Sequence, residues 1–147
     1  MRKLYYSDDH LAHILDTAKT IAMVGASPNW ERPSHFAMKY LQGKGYRVIP
    51  VNPVAAGTEF LDETVYASLG DVPGHIDMVD IFRNSDAAGA ITDEAISLAE
   101  EKCIQIIWMQ LGVRNESAAR RAEAAGLRVV MDRCPKIEIG RLYEALG

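Results

Sequence analysis

Ile21-Ala22-Met23-Val24-Gly25-Ala26-Ser27 is the stretch that decides the fold. A continuous apolar run closed by a glycine is too short for a buried helix and suits a strand covered on both faces. Upstream, Ser7-Asp8-Asp9 reads as a helix start, a capping hydroxyl followed by acids that suit the positive end of the helix dipole. Leu11, Ile14, Leu15 and Ala18 then fall at helical spacing.

Downstream the alternation repeats. Phe36, Ala37, Tyr40 and Leu41 make a helical stripe stopped by Gly43 and Gly45, and Tyr46-Arg47-Val48-Ile49-Pro50-Val51 reads as a second strand. Met78-Val79-Asp80-Ile81-Phe82 is the third. Ala90, Ile91, Ala95, Ile96 and Leu98 mark a helix, followed by a fourth strand from Ile104 to Met109. Asn115-Glu116 opens a helix through Ala118, Ala119, Ala122 and Ala125, stopped by Gly126. Leu127 to Met131 is the fifth strand, and a short helix near Glu138 to Leu146 closes the pattern.

Strands alternating with helices imply βαβ units and right-handed crossovers. The prediction is an α/β, Rossmann-like, doubly wound parallel sheet of about five strands in the order 3-2-1-4-5, helices on both faces. Residues 1–147 are expected to form a single domain. Pro50-Val51-Asn52-Pro53 through Asp71-Val72-Pro73-Gly74 is less regular, and one helical turn near Thr64 to Leu69 fits there best.

Composition narrows the function. Of 147 residues, 48% are hydrophobic and 24% charged, which excludes a disordered chain. Lys plus Arg is 16 and Asp plus Glu is 20, a net charge of −4 that disfavours nucleic acid as a partner. Cys103 and Cys134 make no disulfide framework and read as reduced thiols. The N-terminus turns polar before any apolar run develops, so no signal peptide is expected, and no apolar stretch approaches the roughly twenty residues of a membrane span. A cytoplasmic protein without a membrane partner is the expectation.

In such sheets ligands bind beyond the carboxyl ends of the strands. Gly25-Ala26-Ser27 through Ser34 follows the first strand and carries most of the signal. Gly25 lets the chain turn so that backbone N–H groups and the Ser27 hydroxyl approach a phosphate, with a helix N-terminus near Ser34 and the Arg32 cation beside them. The same residues also make an ordinary strand-to-helix turn with a cap. A dinucleotide site wants Gly-x-Gly-x-x-Gly, yet positions 25, 27 and 30 are Gly, Ser and Trp, and Asn52-Pro53 stands where an acid would hold the ribose. Nicotinamide cofactors are therefore disfavoured, and no Walker Gly-Lys-Ser/Thr exists. His10, His13, His35 and His75 are scattered, so neither metal ligands nor catalytic residues are assigned.

Cys103 reads as packing and Trp108 and Met109 as core, while Phe82 is either core or a ring offered to a base. Cys134 lies between Arg133 and Lys136 near the binding edge, where an inert packed thiol and an activated one are both compatible with position.

Several blocks recur together in a known order. They are Val24-Gly25-Ala26-Ser27, Arg32-Pro33-Ser34, Gly45 through Pro53, Asp77 through Arg83, Trp108-Met109-Gln110-Leu111-Gly112 and Val130 through Pro135. In these the chain resembles the small stand-alone CoA-binding proteins of bacteria and archaea, often called YccU-like. Their domain resembles the N-terminal CoA-binding domain of the succinyl-CoA synthetase α subunit. The resemblance spans about residues 10 to 142. It implies a Rossmann-like domain that binds coenzyme A or an acyl-CoA, with no established catalysis in the stand-alone form.

Carried over by position, Gly25, Ala26 and Ser27 would meet the phosphates, with Arg32 and Ser34 beside them. Asn52 and Pro53 would line the nucleotide's path, Phe82 and Arg83 would contact the adenine and phosphate region, and Gln110 and Leu111 would approach the pantetheine. The synthetase needs a phosphorylated histidine on a further domain and a β subunit. No histidine follows the fifth strand here, so binding without transfer chemistry is expected, as a carrier, sensor or accessory module. The alternative is a small enzyme, either a nicotinamide-linked oxidoreductase or a Cys134-dependent exchanger of the CoA thiol. Pairing as a homodimer or with an acyl-CoA enzyme is left open, with no apolar helical face in excess of core needs. Arg32, Arg83, Arg114, Arg133 and Lys136 share the binding edge with Glu31, Asp86, Glu116 and Asp132, a mixed surface suited to one compact anion.

Overall fold

The computed structural model describes residues 4–144. Helix α1 (Asp8–Thr17) begins as expected, the Ser7 hydroxyl oxygen accepting the His10 N–H at 3.1 Å. Strand β1 (Thr20–Val24), helix α2 (Pro33–Gly43) and strand β2 (Arg47–Val51) follow. The link to β5 (Met78–Ile81) holds a small hairpin, β3 (Glu59–Phe60) and β4 (Glu63–Thr64), and a 3-10 turn over Leu69–Asp71. The turn expected from Thr64 to Leu69 is thus displaced, because Thr64 pairs with Glu59 in the hairpin. Helix α3 (Ser85–Lys102), β6 (Ile106–Met109), α4 (Glu116–Ala124), β7 (Arg128–Val130) and α5 (Pro135–Ile139) complete the alternation. The last helix begins at Pro135 rather than near Glu138 and runs into a π-helical turn over Gly140–Glu144. Its expected end at Leu146 lies outside the described residues.

The parallel, doubly wound α/β architecture is as read from the sequence; the strand order is not. The sheet runs β2-β1-β5-β6-β7, which counted along the chain is 2-1-3-4-5 rather than 3-2-1-4-5. Pro50 is the physical reason. A residue's N–H and C=O point to the same edge of its strand, and the Pro50 carbonyl faces outward, accepting the Tyr66 N–H at 3.0 Å. The outer edge of β2 therefore lacks one donor and cannot take a full ladder, which confines β2 to the sheet's border. A single bridge between Val51 and Tyr66 caps it.

The third strand instead enters on the free side of β1, and Gly25 makes room for it. The Gly25 N–H donates to Val51 O at 2.9 Å while the Phe82 N–H donates to Val24 O at 2.8 Å. At φ +92° a Cβ on residue 25 would stand 2.4 Å from the Phe82 carbonyl oxygen. Only glycine fits that crossing.

Both faces of the sheet are covered, as parallel strands require. On one side α1, α2 and α5 close over Leu11, Ile14, Met23, Met38, Leu41, Trp108 and Ile139. On the other, α3, α4 and the β2–β5 link close over Leu69, Val79, Ile81, Ala88, Ala95 and Ala118. Trp108 is core, as expected, and its indole N–H donates to Arg133 O at 2.8 Å. Two expectations of burial fail. Phe36 is 52% exposed, because α2 buries Ser34, Ala37, Met38 and Leu41 and Phe36 falls off that phase. Cys103 is exposed and ends α3 in the left-handed conformation, φ +59°, so it serves the turn and not the packing.

Asp80 sits in the middle of this core. It faces the α1–α2–α5 side with Met78, opposite Met23 on β1 and Trp108 on β6, fully buried. Neither carboxylate oxygen has a hydrogen-bond partner, and desolvation pushes its pKa well above the ordinary 3.8. The unfolded chain loses this proton above about pH 4 while the folded one keeps it, so stability falls as pH rises from there. Asp80→Asn should remove that loss. Its advantage in melting temperature over the wild type is expected to grow between about pH 4 and about pH 8, and parallel curves would show that Asp80 is not held neutral. Gly25→Ala should cost roughly 2 kcal/mol or more in denaturant unfolding, through both the positive φ and the clash. A variant as stable as the wild type would contradict the close approach of β1 and β5.

Candidate functional site at the carboxyl edge of the sheet

The observed strand order moves the point of reversal. The connection after β1 runs to β2 on one side and the connection after β5 runs to β6 on the other, so the ligand crevice of a doubly wound sheet falls between the ends of β1 and β5. A cleft of about 470 Å³ opens there, lined by Gly25, Ser27, Arg32, Pro33, Ser34, Asn52, Val54, Phe82 and Arg83. Residues from loops far apart in sequence are brought together at one place.

The loop after β1 is held by its own side chains. The Ser34 hydroxyl oxygen accepts the Ser27 N–H at 3.0 Å, and the Ser27 hydroxyl oxygen accepts the Asn29 N–H at 3.1 Å. The Asn29 side chain in turn accepts the Glu31 N–H at 3.0 Å. The Ser27 backbone donor is therefore spent inside the loop, while its hydroxyl proton stays available to an anion. Ala26 is fully buried and offers its carbonyl to the Asn52 side-chain amide at 2.9 Å. Asn52 also accepts the Val54 N–H at 2.9 Å, so this side chain ties the β1 and β2 loops into one wall. Pro53 is exposed and lies outside the cleft lining; Val54, 95% exposed, forms that rim.

The charges of the edge sort themselves by partner. Arg114 pairs with Glu116 at 2.6 Å. Arg133 donates to the Asp132 and Leu4 carbonyls and stacks over the Tyr6 ring, holding the N-terminal segment against the end of β7. Lys136 stands 5.6 Å from the Tyr40 ring centre. Arg32 and Arg83 line the β1–β5 cleft, are exposed, and form no ion pair among the described residues. Two guanidinium groups with no ion-pair partner among the described residues thus share one cleft with the Ser27 hydroxyl.

The cleft continues along the edge. A second space of about 510 Å³ shares Pro33, Phe82 and Arg83 with the first and adds Asn84, Gln110, Leu111 and Val113. A third, about 370 Å³, shares Pro33, Phe82, Gln110 and Leu111 with the second and reaches Phe36, Cys134 and Ile137. Phe82 borders all three and also packs partly against the core, so it is both floor and wall. Gln110 is 9% exposed and its Oε1 has no partner, whereas Leu111 is 58% exposed. Glycine at 112 (φ +85°) turns this loop so that its N–H reaches Asp132 Oδ1 at 2.7 Å, joining the β6 and β7 loops.

Sequence reasoning missed Pro33, Phe36, Val54 and Ile137 as lining residues. For Phe36 a signal existed, its position off the buried phase of α2.

With the geometry in hand, the relatives can be compared. The uncharacterized protein YneT of Bacillus subtilis (strain 168) is 35% identical over 131 residues, 89% of this chain and 93% of that one. A hypothetical protein from Pyrococcus horikoshii OT3 is similar in structure with a TM-score of 0.86 and 36% identity, all of both chains being covered. The dinucleotide-forming acetyl-coenzyme A synthetase 1 of Ca. Korarchaeum cryptofilum, in complex with phosphate and ADP, is alike in fold at 23% identity and a TM-score of 0.65. That likeness covers 78% of this chain and 26% of the synthetase. The model of a family described as CoA binding domain matches residues 19–140, from the start of β1 to the end of α5, and the chain belongs to that family.

Proposed function

We propose that the protein binds coenzyme A or an acyl-CoA at the β1–β5 cleft and serves as a non-catalytic carrier, sensor or accessory module. The observation that carries this reading is the pair of unpartnered guanidinium groups, Arg32 and Arg83, beside the Ser27 hydroxyl in one cleft. CoA presents a diphosphate and a 3′-phosphate to such a site, and charge-assisted hydrogen bonds to phosphate are the strong kind. The ribose of CoA is already anionic at its 3′ position and asks for no acid. Asn52, with its amide committed to Ala26 and Val54, supplies none.

The pantetheine would run from Phe82 and Arg83 past Gln110 and Leu111 along the connected clefts. No histidine lines the three clefts among the described residues. Cys134 lines the far end and is buried, 8% exposed, which supports a packed thiol over an exchanging one. No described helix is long and apolar enough to cross a membrane. A cytoplasmic location, and a small-molecule ligand in place of nucleic acid, belong to the same proposal.

Calorimetry with CoA, NADH and ATP tests it. CoA should bind, with affinity falling as salt rises because the contacts are charged. Arg83→Ala and Arg32→Ala should each weaken CoA about tenfold while leaving the melting temperature of the free protein unchanged, both side chains being exposed and unpaired. Tight NADH binding with no response to CoA would overturn the reading in favour of a nicotinamide enzyme.

A further inference from the structure

The far end of the trough differs in character from the phosphate end. Phe36, Leu111 and Ile137 are 52%, 58% and 52% exposed, and all three line the cleft of about 370 Å³. They arrive from separate elements, α2, the loop after β6, and α5, so their convergence is not the stripe of one helix. Their exposure forfeits burial free energy that each side chain would gain in a core, and convergent apolar exposure marks a binding surface. Gln110 stands where this cleft meets the middle one, nine-tenths buried, with its Oε1 lacking a partner. An unsatisfied buried acceptor of this kind is completed by an incoming N–H donor. Glu31 and Lys136 stand at the rim, one charge of each sign, so the pocket carries no excess charge for an ionic group.

We propose that this end is an acyl subsite, and that the ligand the site is built for is a CoA thioester of an apolar acyl chain rather than free CoA. The proposal rests on the CoA reading above. Continuity commits it to one occupant. The apolar cleft joins the phosphate cleft through Pro33, Phe82 and Arg83 by way of the middle one, so whatever fills it is covalently reachable from a diphosphate at β1 and β5. The end of β7, from which α5 departs, is two strand spacings from β5, roughly 10 Å. A pantetheine arm with its two amides spans that reach, passes its N–H groups by Gln110, and delivers the thioester to the apolar pocket. Beyond the sulfur, only an acyl chain remains to cover Phe36 and Ile137.

Calorimetry on the full chain with CoA, acetyl-CoA, octanoyl-CoA and succinyl-CoA at one salt concentration decides it. Octanoyl-CoA should bind about tenfold tighter than CoA, or more, because several methylenes leave water. Succinyl-CoA, whose chain ends in a carboxylate, should gain nothing over CoA. Phe36→Ser and Ile137→Ser, both at half-exposed positions, should keep CoA affinity and erase the octanoyl advantage. If CoA binds but octanoyl-CoA is within about twofold of it, the acyl subsite is overturned while the CoA reading stands. A dimer in sedimentation that is lost in Phe36→Ser, with no effect of chain length, overturns it too and assigns the patch to a second copy. Failure of every thioester and of CoA to bind overturns both readings together.

Discussion

The structure turns on the contact between Gly25 and the end of β5. Strand β1 must carry neighbours on both sides at its carboxyl end, with the Gly25 N–H bonded to Val51 O and the Phe82 N–H bonded to Val24 O. A side chain at residue 25 would collide with the Phe82 carbonyl. With Pro50 keeping β2 at the border, this crossing admits β5 on the other side of β1, and from that order follows the place where the connections part. The space that a side chain at residue 25 would take is filled by the Phe82 carbonyl and the Arg83 side-chain stem, so the same absence seats Arg83 against the β1 loop beside the cleft. One constraint therefore serves both the packing and the position of Arg83 at the cleft.

Around that cleft the surface is graded. The β1–β5 end carries Arg32, Arg83 and the Ser27 hydroxyl; the β7 end carries Phe36, Leu111 and Ile137. The net charge of −4 would repel a polyanion spread over the surface. It does not prevent two guanidinium groups, lining one cleft and free of carboxylate partners among the described residues, from holding one compact phosphorylated ligand. The other cations of the edge are engaged with the protein itself. Arg114 and Arg133 stabilise loops, which agrees with the sequence reading of a mixed edge in which only Arg32 and Arg83 are assigned to the ligand.

How much of this was legible depends on which physical signal each feature leaves in a linear sequence. The strands showed because runs such as Ile21–Val24 and Ile106–Met109 are apolar on both faces, and the helices because Ser7 and Asn115 stand at two of their starts and cap them, while apolar spacing marked α3, whose cap Asn84 only the structure reveals. The strand order did not show through periodicity, which is blind to which side of β1 the third strand joins. Pro50 did record it, since a proline with its nitrogen on the outer edge forbids an interior β2. Of the site, the Gly25–Ser27 loop and Arg32 were readable from chemistry near one strand end. Asn52 and Ser34 were placed correctly at the edge, but their bonds to Ala26 and Ser27 depend on loops meeting in space. The apolar end was hidden because Phe36 and Ile137 look like core residues until the phase of their helices is known.

The central claim is that a CoA diphosphate lies between the ends of β1 and β5. A crystal structure of the full chain with CoA tests it most directly. The account predicts phosphate oxygens within hydrogen-bond distance of the Ser27 hydroxyl and of the Arg32 or Arg83 guanidinium, with the pantetheine running past Gln110. Phosphates seated elsewhere, with Arg32 and Arg83 pointing to solvent, would contradict it.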